Sequence, residues 1–177
     1  MKTLIVIDYQ NDFVTGVLGT PEAASILMNV KAKIEEYLRN GDEVIFTRDT
    51  HTTGYLDTAE GKQLPVPHCI IGTDGWNVVE SVDIAECEHI NKETFGYADW
   101  ESRYYSDGNY CERNFDEIEI IGVCTDICVV SNALLLKAFY PDVPITVDAS
   151  CCAGVTPDAH RAALTVMKSC QINVIGE

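Results

Sequence analysis

Residues 4–8 have the sequence Leu-Ile-Val-Ile-Asp, a short apolar run that ends on an acidic residue. A continuous aliphatic run of this length is typical of a strand that is buried on both faces of a parallel sheet. The first strand is therefore predicted over residues 3–8. Five further strand-like segments follow along the chain, at residues 43–47, 87–91, 117–121, 144–148 and 171–175.

Helical signals lie between these strands. Thr20-Pro21-Glu22 combines a hydroxyl cap, a proline at the first helical position and an acid in the first turn, and Asn40-Gly41 ends the helix that begins there. Further helices are predicted over residues 127–140 and from Thr156 onward. This alternation predicts a Rossmann-like α/β fold with three layers, a six-stranded parallel sheet between helices, in a single domain over residues 1–177.

Two segments carry no clear period. Residues 48–75 are rich in glycine and proline and contain two histidines, which predicts a long functional loop. Residues 98–115 predict a short helix and connecting segments.

The composition limits the possible partners. With 28 acidic and 12 basic residues, the chain has a formal charge of -16, which repels phosphate, so we expect neither nucleic acid nor an anionic membrane as a partner. No stretch approaches the roughly 20 apolar residues that span a bilayer, and the first residues show no signal-peptide pattern. We expect a cytoplasmic homo-oligomer whose eight cysteines are reduced, some of them simply buried in the core.

Three ionisable side chains follow separate predicted strands. Asp8 ends the first strand, Lys92 follows the third, and Cys128 follows the fourth at the start of a helix. The carboxyl ends of parallel strands form one edge of a sheet, where ligands bind. A helix start and a nearby lysine would favour a thiolate at Cys128, and Asp8 could exchange protons with it. Cys124 is a rival nucleophile, and each residue alone could be structural, but together they predict a cysteine hydrolase.

A second group of polar residues belongs to the long loop. Asp49 and His51 follow the second strand, and Glu60 and His68 come later in the same segment. Carboxylate and imidazole groups suit zinc, manganese or iron(II). Polar loop residues that only hydrogen-bond one another explain the pattern equally well, so the residues alone leave a metal site open.

Several motifs occur in the order typical of one family, and the chain resembles the isochorismatase-like cysteine hydrolases, within them the nicotinamidases and related amidases. The matching segments are residues 7–13 (IDYQNDF), 47–51 (TRDTH), 67–69 (PHC), 72–75 (GTDG), 91–92 (NK) and 122–129 (GVCTDICV). The resemblance implies a catalytic triad of Asp8, Lys92 and Cys128. It also implies a cis peptide between Val123 and Cys124, with the amides of Cys124 and Cys128 forming an oxyanion hole.

The resemblance further implies a cofactor and a substrate. A divalent ion, zinc with manganese or iron as alternatives, would bind Asp49, His51 and His68, with Glu60 as a fourth ligand. Some nicotinamidases carry an additional histidine early in this loop, and this chain has Asp57 in that region. The implied reaction is hydrolysis of nicotinamide, a small amide, to nicotinate and ammonia. The predicted pocket wall comprises Phe13, which has a family counterpart, and three residues placed by proximity to motifs, namely Leu64, Phe95 and Tyr97.

Three other functions are compatible with the same residues. A related cysteine amidase would act on a carbamoyl compound or a short linear amide and would not need the metal. A flavodoxin-like binding module would have an unreactive Cys128. A redox sensor would pair Cys124 with Cys128 in a disulfide.

Overall fold

The computed structural model describes residues 1–103, 105, 106, 109, 110 and 115–177. Its centre is a sheet of six parallel strands in the order β3-β2-β1-β6-β7-β8, which confirms the predicted α/β fold. A separate antiparallel pair is formed by β4 and β5. The strands are β1 (Lys2–Ile7), β2 (Glu43–Asp49), β3 (Glu88–Lys92), β4 (Tyr105–Ser106), β5 (Asn109–Tyr110), β6 (Glu117–Val123), β7 (Ile145–Ala153) and β8 (Asn173–Ile175).

Helices surround the sheet, and their ends follow the predicted capping signals. The described α-helices are α1 (Asn11–Val14), α2 (Pro21–Ser25), α3 (Leu27–Asn40), α4 (Ala59–Gln63), α5 (Val130–Phe139) and α6 (Pro157–Ser169). The hydroxyl groups of Thr20 and Thr156 accept hydrogen bonds from the first turns of α2 and α6. Gly41, with a φ of 74°, ends α3 in the left-handed conformation that glycine adopts without a steric penalty.

The predicted helix from Thr20 to Asn40 is two helices. Ile26 ends α2 and precedes α3, with a φ of -84° and a ψ of -3°. Its backbone remains near the helical region, so the side-chain period continues across the break. Val30, Ile34 and Tyr37 of α3 are buried, as that period requires.

The two remaining regions are the expected loop at residues 48–75 and the stretch at residues 98–115. The expected loop 48–75 contains α4, which Thr58 caps by accepting a hydrogen bond from the amide of Gly61. The stretch 98–115 begins with a 3-10 segment, Ala98–Arg103, and continues into β4 and β5. The rest of the predictions for this stretch, including a reduced Cys111, lie outside the described residues. No helix in the described part of the chain has the length and apolar character needed to cross a membrane.

Both faces of the sheet are buried, which explains the continuous apolar run in β1. Ile5 and Ile7 belong to the core on the side of α5 and α6, whereas Leu4 and Val6 belong to the core on the side of α3. Alternate side chains of a strand point to opposite faces, so the four residues fill both cores. The sheet is therefore fixed from both sides, and its carboxyl edge carries the polar side chains.

Candidate active site

Asp8 lies at the carboxyl edge of the sheet, directly after β1. It has a φ of 47°, a conformation that few residues other than glycine adopt. The hydroxyl group of Thr47, on the neighbouring β2, donates a 2.7 Å hydrogen bond to Asp8 Oδ1. The amide of Asp8 donates to the carbonyl of the same threonine at 3.2 Å. Two neighbouring strands thus fix the carboxylate in place.

Lys92 connects the three predicted catalytic residues. It is the last residue of β3, and its Nζ lies 2.6 Å from Asp8 Oδ2 and 3.7 Å from Cys128 Sγ. The ammonium also donates to the carbonyl of Thr94 at 3.1 Å. All three catalytic candidates are buried, so their charges act on one another with little screening by water.

The electrostatics of the triad differ from the expected thiolate. Burial and the Asp8 charge raise the pKa of Cys128 well above its usual value, and Lys92 offsets this only in part. Burial also raises the pKa of Asp8, against the effect of the Lys92 charge. Burial alone would lower the pKa of Lys92, but the charges of Asp8 and Cys128 keep it raised. The resting form therefore pairs a neutral thiol with a carboxylate that is a stronger base than usual.

The thiol belongs to a wide helical turn. Residues Thr125–Val129 form a π-helical turn with Cys124 at its N-cap, and this turn continues directly into α5. Turns of this type occur frequently at functional sites. The preceding peptide bond, between Val123 and Cys124, is cis, as the resemblance implies. The amide of Cys128 lies in the first turn, where N–H groups lack a carbonyl one turn earlier in the helix.

Asn132 holds this turn against the segment that follows β3, a role that the sequence did not reveal. Its Nδ2 donates to the carbonyls of Cys128 at 2.8 Å and Phe95 at 3.1 Å. Its Oδ1 accepts from the amide of Tyr97 and the indole of Trp100, both at 2.9 Å. The signal in the sequence was a polar amide residue four positions after the cysteine, on a helix with few other polar residues.

Asp49, His51, Glu60 and His68 form the second polar group, as predicted. Their potential ligand atoms all lie within 4.8 Å of one another. Asp49 Oδ2 is 3.0 Å from His51 Nε2 and 3.5 Å from His68 Nε2, and Glu60 Oε1 is 3.7 Å from both imidazoles. The loop 48–75 thus brings two imidazoles and two carboxylates together.

Four of the spacings in this group, from 3.0 to 3.7 Å, are close to those around a divalent ion. Ligand atoms around a tetrahedral ion lie roughly 3.3–3.6 Å apart, given metal–ligand bonds of about 2.0–2.2 Å. His68 Nδ1 lies 2.8 Å from the Val66 carbonyl, which fixes its proton on that nitrogen and leaves Nε2 free to bind metal. Asp57 is exposed and is not part of the cluster.

Gln10, a buried residue that was not predicted from the sequence, holds the backbone of one member of the cluster. Gln10 Oε1 accepts from the amide of Asp49 at 2.7 Å, and its Nε2 donates to the Asp49 carbonyl at 2.9 Å. The same Nε2 donates to the carbonyl of Trp76 at 2.8 Å. Gln10 therefore fixes the backbone of the aspartate that lies between the triad and the histidines.

One cavity of about 300 Å³ connects the thiol with the metal-type cluster. Cys124 and Cys128 line it on one side, and Asp49, Glu60 and His68 on the other. Apolar side chains form most of the remaining wall. They include the predicted Phe13, Leu64 and Phe95, and three that sequence reasoning missed, namely Leu18, Ile127 and Val155.

The prediction that Tyr97 lines this pocket is wrong. Its ring packs edge-on against Trp100, with the ring centroids 5.1 Å apart, and joins the core beneath α5. The hydrogen bond from its amide to Asn132 fixes the backbone in this position. Proximity to the lysine motif did not predict the side-chain direction, because the chain turns between Phe95 and Tyr97.

Comparisons with known proteins agree with this geometry. A relative from Bacillus subtilis, "Uncharacterized isochorismatase family protein PncA", is 30% identical over 173 residues, covering 93% of this chain and 92% of the relative. The nicotinamidase/pyrazinamidase of Mycobacterium tuberculosis is 27% identical, with 99% and 98% covered. The crystal structure of the pyrazinamidase of Pyrococcus horikoshii in complex with zinc superposes with a TM-score of 0.81 at 26% identity, covering 99% of each chain.

The family model described as "Isochorismatase domain" matches residues 2–176. The match spans all six strands of the sheet and every residue of the triad and the metal-type cluster. The chain therefore belongs to the isochorismatase family.

Proposed function

We propose that this protein is a cysteine amidohydrolase that converts nicotinamide to nicotinate and ammonia, with residues 1–177 acting as one domain. One observation carries the proposal. The thiol of Cys128, with Asp8 and Lys92 beside it, and a cluster suited to a divalent ion line the same small cavity. The names of the relatives from Mycobacterium tuberculosis and Saccharomyces cerevisiae, both nicotinamidases by description, support the same substrate.

In the first step Cys128 attacks the amide carbonyl. The thiol proton moves to Asp8 as the sulfur–carbon bond forms, and the amides of Cys124 and Cys128 stabilise the oxyanion. Asp8 then returns this proton to the leaving nitrogen as the carbon–nitrogen bond breaks, which releases ammonia and leaves a thioester. The raised pKa of Asp8 suits this role, because a general base works best when its pKa lies near the working pH.

In the second step a water molecule hydrolyses the thioester. Asp8 accepts a proton from the water as its oxygen bonds to the carbonyl carbon. The carbon–sulfur bond then breaks as Asp8 passes its proton to the sulfur, and the acid product loses its remaining proton to solvent and leaves as nicotinate. Lys92 remains charged throughout and compensates whichever of Asp8 and Cys128 carries the negative charge.

The metal-type cluster would orient the substrate. Asp49, His51, Glu60 and His68 would hold a divalent ion, for which we propose zinc. When bound, such an ion supplies a Lewis acid to which a pyridine nitrogen can coordinate. The apolar rings and side chains opposite, among them Phe13, would hold the flat face of the ring and exclude water from the thioester.

Ammonia release from nicotinamide, by wild type and by Cys128→Ala, tests the proposal. Wild type should release ammonia, and Cys128→Ala should release none above background while keeping its circular dichroism spectrum. Cys170→Ala is a matched control, because Cys170 is exposed, lies at the C-terminal end of α6 and does not line the catalytic cavity. Undiminished release from Cys128→Ala would refute the mechanism.

A further inference from the structure

A second cavity, of about 560 Å³, adjoins the catalytic cavity. We call it the outer chamber. Four residues line both spaces, and they therefore form the wall between them. These shared residues are Glu60, Leu64, Phe95 and Ile127.

Leu64 and Phe95 differ from the other two members of this wall. Glu60 points at the imidazoles of the metal-type cluster, and Ile127 belongs to the turn that carries the thiol. Leu64 and Phe95 are large apolar side chains, yet they are 38% and 45% exposed. Because they face the two cavities and not the core, neither side chain is locked by close packing.

The backbones beneath these two side chains are fixed. The carbonyl of Leu64 accepts a 2.9 Å hydrogen bond from the Tyr55 hydroxyl, and its amide donates to the carbonyl of Glu60 at 2.8 Å. The carbonyl of Phe95 accepts from Asn132, which also holds Cys128. Movement of the wall therefore requires only side-chain rotation, which takes picoseconds to nanoseconds in exposed residues.

We propose that the outer chamber is a second binding site, which receives the part of an amide substrate that extends beyond the ring. Leu64 and Phe95 form the gate to it and set the length of substituent that reaches Cys128. This inference rests on the proposed amidase function and names a substrate class for it, aromatic amides that carry a ring substituent.

The polar lining of the outer chamber selects among such substituents. Glu93, Glu60 and His51 line it, together with three uncharged polar residues, Thr58, Thr94 and Gln63. Glu60 and His51 belong to the metal-type cluster, so Glu93 supplies the charge outside that cluster that a ligand in the chamber would meet. A carboxylate there attracts an ammonium group and repels an anion. The chamber should therefore accept cationic or neutral substituents and reject acidic ones.

Alkylation of Cys128 by iodoacetamides of different length tests the gate without requiring turnover. The probes are iodoacetamide itself and two N-alkyl derivatives of equal length, one ending in an ammonium group and one in a carboxylate. Mass spectrometry gives the rate of labelling at Cys128. The informative quantity is the ratio of the long-probe rate to the short-probe rate, because it cancels any change in thiol reactivity.

Leu64→Ala and Phe95→Ala should each raise this ratio at least about tenfold, the scale on which pocket walls discriminate by one or more methylenes. Phe95→Trp should lower it, which keeps the test open if a truncated variant folds poorly. Leu56→Ala is the matched control, since this leucine is 50% exposed on the same loop and lines neither cavity. An unchanged ratio in both alanine variants would overturn the gate.

The charge selection has its own test. The ammonium-ended probe should label Cys128 faster than the carboxylate-ended probe, and Glu93→Gln should bring the two rates closer together. Equal rates in the wild type would overturn the selection of cationic substituents. Ammonia release from nicotinamides with the same two substituents gives the same comparison by a second route.

These measurements separate the two proposals. If the wild type does not hydrolyse nicotinamide but the labelling ratio responds to Leu64 and Phe95 as expected, the proposed substrate is wrong and the gate stands. If nicotinamide is hydrolysed and the ratio does not respond, the gate is wrong and the proposed function stands.

Discussion

Replacement of Lys92 by methionine removes the positive charge that contacts both Asp8 and Cys128 in the buried site. The side chains of Lys92 and Asp8 are almost wholly inaccessible to water, and their charged atoms are 2.6 Å apart. Methionine has a similar length and fills most of the space, so the main effect is a carboxylate left buried without its partner. Breaking one side of a buried ion pair typically costs about 3–5 kcal/mol. For a chain of this size that corresponds to a fall in Tm of roughly 6–20 °C.

The loss should depend on pH in a definite direction. Burial raises the pKa of Asp8 in the folded protein, and without Lys92 it rises further. Between the unfolded and folded pKa values the folded state binds more protons, so stability falls as pH rises. The difference in stability between Lys92→Met and the wild type should therefore be largest near neutral pH and should be smaller in mildly acidic solution, where a carboxyl with a raised pKa is protonated to a larger extent.

Urea denaturation of the metal-free proteins at both pH values measures this difference. Lys168→Met is the control, because Lys168 pairs with Glu177 at the surface and such pairs contribute about 0–1 kcal/mol. The double variant Asp8→Asn/Lys92→Met should recover much of the loss, since an amide does not need a cation. A loss in Lys92→Met no larger than in Lys168→Met, or one that grows as pH falls, would refute this reasoning.

Three further predictions concern the chemistry of the site. Asp8→Asn should lower kcat at least about 10²-fold with an unchanged circular dichroism spectrum, the usual scale for a proton-transfer group, and near-normal turnover would show that Asp8 is structural. Gln10→Leu should weaken metal binding roughly 10–100-fold in competition with a chromogenic chelator, as expected for a residue that orients a ligand, and unchanged affinity would contradict its supporting role. Chelation should raise KM for nicotinamide, and benzamide should be a poor substrate with or without metal; equal hydrolysis of both by metal-free protein would favour a metal-independent amidase.

The fold could be predicted from the sequence because its strands are buried on both faces. Leu4 to Ile7 form a continuous apolar run, which only a sheet covered by helices on both sides accommodates, and parallel strands then place their following residues at one edge. Asp8 and Lys92 could be placed at the same edge, since Asp8 follows β1, Lys92 ends β3, and both strands pair in parallel with β2.

Features that depend on side-chain direction were harder to predict. The break at Ile26 leaves the helical period intact, so the hydrophobic pattern carries no sign of it. Tyr97 is close in sequence to the lysine motif, but its ring turns into the core because Asn132 holds its backbone. Asn132 itself satisfies four groups, one in the turn that carries Cys128 and three in the segment that follows β3, and a pattern of spacing along one helix does not reveal such long-range partners.

The protonation state of the Cys128 thiol could not be predicted from the sequence. A helix start and a lysine predict a thiolate, and both are present beside Cys128. Burial and the Asp8 charge outweigh them, and neither can be judged from residue types alone, because both depend on how completely the site is closed. A buried thiolate next to a buried carboxylate would place two negative charges on one ammonium. A neutral thiol next to a basic carboxylate leaves one ion pair, so the proton should move from Cys128 to Asp8 only as the substrate carbonyl begins to accept the charge.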